Sequence, residues 1–195
     1  TNGALANCRG GLVSAGDMLY GTTFFGGTSD QGTIFKIGTN GSNFAIIKHF
    51  AGGTDGASPY AGLTLVGNTL YGTTAFGGGA DLGTVFKVNV DGSGYTILKH
   101  FTGLADGGVP EAGLLEAGGT LYGVTKNGGS ADFGVVFKLS TNGTSFTVLK
   151  EFTGADGSRP KSRLVQSENT LYGTTSAGGN ADVGTVFKLN TDGTG

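Results

Sequence analysis

Leu70-Tyr71-Gly72-Thr73-Thr74, followed by a glycine pair at Gly77-Gly78, by Asp81, and then by Gly83-Thr84-Val85-Phe86-Lys87, is a pattern the chain writes four times. Tyr20, Tyr71, Tyr122 and Tyr172 mark it at intervals of 51, 51 and 50 residues, and Phe35, Phe86, Phe137 and Phe187 keep the same intervals. Self-similarity at a fixed period of this size signals a repeat architecture, so the fold question reduces to what one unit of about fifty residues forms.

The second unit reads as four strands. Leu63 to Val66 is short and apolar and ends at Gly67-Asn68; Thr69 to Thr74 is rich in β-branched and aromatic residues. Gly83 to Asn89 alternates and ends at Asp91-Gly92, and Tyr95 to Phe101 alternates again. Each run is bounded by turn chemistry. We name them A, B, C and D. Asp91-Gly92, Asn40-Gly41 and Asn142-Gly143 between C and D are hairpin signals, because tight hairpin turns need positive φ. No segment shows capped helical periodicity, so essentially no helix is expected. Four antiparallel strands per unit make the blade of a β-propeller, where neighbouring blades cover one another. This explains apolar residues on both faces of strand C, with Thr84, Phe86 and Val88 directed one way and Val85 the other.

The expected fold is therefore all-β, with propeller-type blades at 12–50, 63–101, 114–152 and 164–190, in a single repeat domain spanning 1–195. The fourth blade passes Phe187, reaches the turn Asp192-Gly193 and stops, so it lacks its outermost strand D. The eleven residues before Leu12 match the length of a D-to-A linker and leave little over for a strand. An unpaired ladder is a template for another chain. Three arrangements satisfy it: the chain is a piece of a longer array, the Thr1 to Gly10 tail or a partner chain supplies the strand, or the blade stays three-stranded. Addition between copies would build an oligomer or filament.

Composition narrows the classes. Glycine supplies 41 of 195 residues, without a collagen period and with only three prolines, and it recurs at fixed phases of the repeat, as turns and close backbone approaches do. Charged residues make up 13%, and a net charge of -2 offers no basic field for nucleic acid. A surface of Thr, Ser, Asn and Gly suits an extracellular or cell-surface protein. A lone Cys8 excludes an internal disulfide, no apolar run approaches the roughly 18 residues of a membrane span, and no charged-then-apolar leader precedes Thr1.

The recurring Leu-Tyr-Gly-Thr-Thr, Gly-Gly, Gly-Thr-Val-Phe-Lys, Asp-Gly, Leu-Lys-x-Phe and Asp-Gly-x-x-Pro elements resemble the bacterial GloVer, or Gloeo-Verruco, tandem repeat from Leu12 onward. The resemblance implies propeller-like blades of secreted or surface-anchored proteins and brings no catalytic residues. The chain departs from the pattern at Val124, at Glu151 and at Lys161 to Arg163.

Several recurring residues are candidates for chemistry. Asp30, Asp81, Asp132 and Asp182 lie in the B-to-C loops, and Asp55, Asp106 and Asp156 in the D-to-A loops of the same face. Together they form a candidate ring for calcium or sugar hydroxyls, since hard cations want several oxygens, although one acid per loop is sparser than a calcium loop. The stretch Ser130 to Phe137 also resembles the Asp-box of sialidase-type propellers, where the aspartate holds a hairpin; Asp30, Asp81, Asp132 and Asp182 are accordingly read first as structural turn acids. A sialidase-like hydrolase fails on inventory, because the arginines are only Arg9, Arg159 and Arg163, none repeated in phase. No catalytic residue is expected and no metal site is assigned. His49, His100 and Glu151 share a place on strand D, too far apart around a rim to bind zinc together. Lys36, Lys87, Lys138 and Lys188 are expected to pair with neighbouring blades or cover apolar surface with their stems. The recurring Tyr and Phe read as core, whereas Phe24, Phe25 and Phe76 after strand B read as contact residues. Asn40-Gly41-Ser42 and Asn142-Gly143-Thr144 match both a glycosylation sequon and a turn.

These readings favour a non-enzymatic extracellular structural or adhesive repeat protein that assembles through its open edge. The competing expectation is a glycan-binding propeller that uses Asp55, Asp106, Asp156 and Phe76, with or without calcium.

Overall fold

The computed structural model describes residues 10–195, so Cys8, Arg9 and nearly all of the tail considered above as a donor strand lie outside the described residues. The chain divides into two compact units, Thr1–His100 and Phe101–Gly195.

The first unit holds two four-stranded antiparallel sheets. One runs β1 (Val13–Ala15), β2 (Met18–Thr23), β3 (Thr33–Gly38), β4 (Ala45–His49); the other runs β5 (Thr64–Val66), β6 (Thr69–Thr74), β7 (Thr84–Asn89), β8 (Thr96–His100). In the second unit, the third sheet runs β9 (Leu115–Ala117), β10 (Thr120–Thr125), β11 (Val135–Ser140), β12 (Phe146–Glu151). The fourth sheet has β14 (Val165–Ser167), β15 (Thr170–Ala177) and β16 (Val186–Asn190) as its strands A, B and C, with no strand D among the described residues. Its fourth member is the short β13 (Ser158–Pro160), a linker segment that pairs Ser158 with Ala177 and Pro160 with Thr175, beyond the register shared by β15 and β16. In the second and third sheets the same linker forms no named strand but the isolated bridges Ala57–Phe76 and Gly108–Asn127. One 3-10 turn, Gly53–Asp55, is the sole helical element among the described residues.

The repeated motif specifies the sheet in detail. Gly72 lies opposite Phe86, and a Cβ there would stand 2.5 Å from the Phe86 ring and 2.9 Å from Leu63; Gly123 meets Phe137 and Leu114 in the same way. The glycine after each tyrosine therefore makes room for the strand C phenylalanine to lie flat across strand B. The threonines at the strand ends bond across the ladder, Thr74 to Thr84 at 2.8 Å and Thr23 to Thr33 at 2.9 Å. Where Val135 replaces the second threonine, Thr125 Oγ1 accepts the Val135 N–H instead. The β3–β4, β7–β8 and β11–β12 pairs share one irregularity, a register shift after Ile34, Val85 and Val136, so a strand D carries one bulged residue at a fixed place.

Core formation follows from sheet-on-sheet packing inside each unit. In the first, Tyr20 and Ile34 pack with Leu63, Leu70, Phe86 and Val88; in the second, Tyr122, Val124 and Val136 pack with Leu164, Leu171 and Leu189. A phenylalanine just past each strand D joins the next sheet: Phe50 meets Phe86 and Tyr95 at 5.4 and 6.1 Å, and Phe101 meets Phe137 and Phe146 at 5.4 and 6.2 Å. Thr84, Val85, Phe86 and Val88 are all buried, as a two-faced strand C requires. The fourth sheet departs from the expectation of uniform core. Tyr172 and Val186 are exposed, and among the described residues of its own unit no further sheet lies on that face.

Candidate functional site

The turn acids come first, since all four do the same thing. Asp30, Asp81, Asp132 and Asp182 each accept, through one carboxylate oxygen, the N–H of the residue four places earlier: Gly26, Gly77, Gly128 and Gly178, at 2.7 to 2.8 Å. All four occupy the left-handed region, with φ of 54 to 59°, which Asp tolerates better than most residues. The geometry is that of a local loop clamp.

The D-to-A acids are committed in a similar way. Asp55 accepts the Ala51 N–H at 2.8 Å and pairs with Lys48 at 2.7 Å; Asp106 accepts the N–H and hydroxyl of Thr102; Asp156 accepts the Thr153 N–H and pairs with Lys150. Burial pushes the Asp156 pKa up, but the Lys150 and Thr153 hydrogen bonds outweigh it and hold the carboxyl below its usual range. Each acid thus closes the loop that carries it. Among the described residues no group of three or more His, Cys, Asp or Glu is placed to hold a metal ion.

The strand D candidates occupy equivalent registers in separate sheets, with His49 opposite Thr33, His100 opposite Thr84 and Glu151 opposite Val135. Glu151 Oε2 accepts the Ser130 N–H at 2.7 Å, which lowers its pKa, whereas His49 Nδ1 is buried without a hydrogen-bond partner. The strand C lysines reach the next sheet of their unit: Lys138 Nζ donates to the Thr191 carbonyl at 3.4 Å, and the charge of Lys36 helps to lower the pKa of Asp91 after two hydrogen bonds from Ser93. Lys48 lies 4.1 Å over the Tyr95 ring, whose hydroxyl donates to the Asp55 carbonyl at 2.6 Å; burial first, then the Asp55 charge, raises the Tyr95 pKa. The Asn40 and Asn142 side chains accept from Ser42 and Thr144 within their own turns.

Two features escaped the sequence reading. Glu111 bridges Lys126 at 3.0 Å and Lys161 at 3.8 Å, which gives the departure at Lys161 a partner. Ser58, Val109 and Arg159, each directly before a proline, adopt φ of 54 to 55°. A β-branched valine in that region is a genuine outlier that no propensity rule anticipates.

Three exposed features remain. Phe76, 42% exposed, and Phe25, 39% exposed, stand at equivalent places after strand B in the first unit, with Phe24 edge-on to Phe25 and Tyr60. An open cleft of about 300 Å³ is lined by Leu115, Arg163, Leu164, Val165 and Gln166. The third is the edge of β16. Thr175 donates its N–H to Thr185, and these residues lie opposite in the continued β15–β16 register, so Thr185, Phe187 and Leu189 turn their backbone groups toward β15. Val186 and Lys188 turn theirs outward. In the third sheet the corresponding Val136 and Lys138 face β12.

Comparison with known proteins agrees with this architecture. The Gloeobacter/Verrucomicrobia repeat model matches residues 7–195. The chain belongs to that repeat family. No curated protein matches it. Among solved structures, a chain of the nidogen/laminin complex is 19% identical with a TM-score of 0.59 over 89% of this chain and 60% of its own. A putative TolB from Agrobacterium tumefaciens is 12% identical with a TM-score of 0.56 over 92% and 60%, and TolB from Acinetobacter baumannii is 14% identical with a TM-score of 0.59 over 98% and 43%. The chain thus spans 60% or less of these neighbours, and at such identities the likeness concerns the fold alone. That fold is the β-propeller type, here a repeat member whose fourth blade has an incomplete strand set.

Proposed function

We propose that this repeat protein is a non-catalytic structural or adhesive module of the extracellular space or cell surface, joined to further chains by strand addition at its open fourth blade. One observation carries the reading: the acids that recur in phase serve the repeat's own loops, while the β16 ladder presents outward backbone groups against which no strand of the described residues lies. Such an edge is an adhesive element in its own right. Low charge and a net charge of -2 favour neither nucleic acid nor an anionic membrane surface, and no helix is long and apolar enough to cross a membrane.

The second reading, a glycan-binding propeller, is favoured by the exposed Phe25 and Phe76 rings, which suit stacking on sugars; the loop carboxylates Asp55, Asp106 and Asp156 support it less, since each already has partners within its own loop. Negative-stain imaging and light scattering of the purified chain, alongside a glycan array run with calcium and with a chelator, separate the two. Ordered multimers without added ligand support the structural module. A monomer retained on particular glycans, and released by the chelator or by free sugar, supports the lectin and overturns the first reading.

A further inference from the structure

A departure from the repeat, Lys161-Ser162-Arg163, leads into the open cleft of the second unit. The same place before strand A reads Tyr60-Ala61-Gly62 and Glu111-Ala112-Gly113 elsewhere. The fold absorbs two of the substituted residues: Lys161 reaches Glu111 at 3.8 Å, and the Ser162 hydroxyl oxygen accepts the Thr174 hydroxyl at 3.0 Å. Arg163 is not absorbed. It is exposed, and among the described residues it has neither a hydrogen bond nor an ion pair. Glycine holds this phase of the repeat for a physical reason. In the first unit Gly62 passes so close to the preceding linker that a Cβ on it would stand 2.7 Å from the Gly11 carbonyl oxygen. An arginine gives up that close approach and sets a free guanidinium on the wall of a cleft.

The cleft brings together two sheets of one unit, with Leu115 of the edge strand β9 and with Leu164, Val165 and Gln166 at and just before the edge strand β14. Its volume of about 300 Å³ lies at the lower end of ligand pockets, room for one small molecule or one sugar unit. Gln166 supplies a second polar group. Its Nε2 donates to the Glu168 carbonyl at 2.6 Å, which fixes the amide, and its Oε1 is left buried without a donor. A desolvated acceptor of this kind is unfavourable until a donor reaches it. The neighbourhood is positive as well, because Glu111 alone serves both Lys126 and Lys161 while Arg163 adds a further cation. A complementary ligand carries a carboxylate for the guanidinium fork, a hydroxyl for Gln166 and a compact C–H surface for Leu115 and Val165. We infer that this cleft binds a uronic acid, as the free sugar or as the end unit of an acidic polysaccharide, with its carboxylate on Arg163 and a ring hydroxyl on Gln166. A neutral sugar would leave Arg163 unpaired, and an amino acid would set its ammonium group among the cations. The site deepens the glycan-binding reading and rests on it, with the sugar held here and not at Asp55, Asp106 and Asp156.

The probe is sodium glucuronate, titrated into the isotope-labelled full chain and followed by heteronuclear NMR, with glucose, glucose phosphate and a short galacturonate oligomer run beside it. Saturable shifts are expected at Arg163, Val165 and Gln166, the Gln166 side-chain amide included, with glucose about tenfold weaker because it offers the guanidinium no charge. Equal or tighter binding of the oligomer identifies the polysaccharide end as the source; binding of glucuronate alone identifies the free sugar. Arg163→Gly restores the residue found at Gly62 and Gly113 and should weaken glucuronate about tenfold with an unchanged circular dichroism spectrum. Arg163→Lys keeps the charge without the fork and should fall between parent and Arg163→Gly. Gln166→Leu, which places here the residue found at Leu65, should weaken binding several-fold. Equal binding of glucose and glucuronate, equal or tighter binding of glucose phosphate, or parent-like binding by Arg163→Gly overturns the inference. Retention on neutral glycans that Arg163→Gly leaves intact keeps the glycan-binding reading while this site fails; no binding to any glycan, uronates included, removes both.

Discussion

The third and fourth sheets carry nearly the same sequence at positions fifty residues apart, yet they differ in what covers them. Val136 is fully buried and Val186 is 82% exposed; Tyr122 is 7% exposed and Tyr172 41%. Nothing local distinguishes the members of each pair. Both valines sit on strand C beside the same phenylalanine and lysine, and both tyrosines open the same Tyr-Gly-x-Thr segment. The third sheet's face is closed by Leu164, Leu171 and Leu189 of the fourth, whereas among the described residues of this unit no further sheet lies on the fourth sheet's equivalent face. The hydrophobic pattern of a propeller repeat therefore specifies an interface, and only a neighbour turns it into core.

Truncating equivalent residues measures that difference directly. The largest contrast is expected at the strand C rings. Phe137→Ala removes a fully buried ring packed on Phe101 and Phe146 and should cost about 3 to 5 kcal/mol, while Phe187→Ala, from a half-buried ring with one ring neighbour, should cost about half as much. Urea unfolding with a constant m-value is the measurement. Equal losses would mean that the fourth sheet is covered in solution. Val136→Ala should cost about 2 kcal/mol, and Val186→Ala should stay within about 0.5 kcal/mol of the parent. A substantial loss at Val186 in a self-associated sample, absent on dilution, would locate the covering partner.

A third pair is expected to erase the contrast. Asp132 and Asp182 clamp their loops through the same bond in the same left-handed conformation, and neither depends on a neighbouring sheet. Asp132→Ala and Asp182→Ala should each cost about 1 to 2 kcal/mol, from one lost hydrogen bond to a backbone N–H and from forcing alanine to positive φ, and the Asn variants should cost much less. Thermal melts of the four variants check this. A large difference between the two alanine variants would show that the clamp also serves packing.

The same division explains what was legible in the sequence. Strands A to D and the hairpins at Asn40-Gly41, Asp91-Gly92 and Asn142-Gly143 are set by local chemistry, and the spacing of Tyr and Phe displays them. The clamp by Asp81 was legible too, because an Asx-type turn depends on a few consecutive residues. What was not legible depends on context. The exposure of Tyr172 depends on what packs on its sheet and not on its own segment, and the pairing of β13 depends on where the linker is laid down. The Glu111 bridge to Lys126 and Lys161 joins residues from three separate segments, and the left-handed Val109 contradicts the preference of its own side chain. Val109→Asn tests that strain: relief of the β-branched residue at positive φ should raise stability by up to about 1 kcal/mol.

The smallest expected effect lies on strand D, which only the third sheet of its unit possesses. Glu151 replaces the histidine found at His49 and His100, and its carboxylate accepts the Ser130 N–H, the main cause of a pKa held below the ordinary glutamate value of about 4.5. A carboxyl with a depressed folded pKa stabilises the fold fully above its unfolded value and loses that contribution as pH falls through the folded value. The contribution should accordingly be complete above about pH 4.5 and fade below it, and for one exposed hydrogen bond it should amount to less than about 1 kcal/mol. Glu151→Gln lowers stability at pH 7 and leaves it nearly unchanged near pH 3, so the difference between the parent and variant melting temperatures narrows on acidification. If the Glu151→Gln difference instead stayed constant from pH 7 to pH 3, the Ser130 contact would contribute through shape and not charge, and Glu151 would be only a variant of the His49 and His100 position.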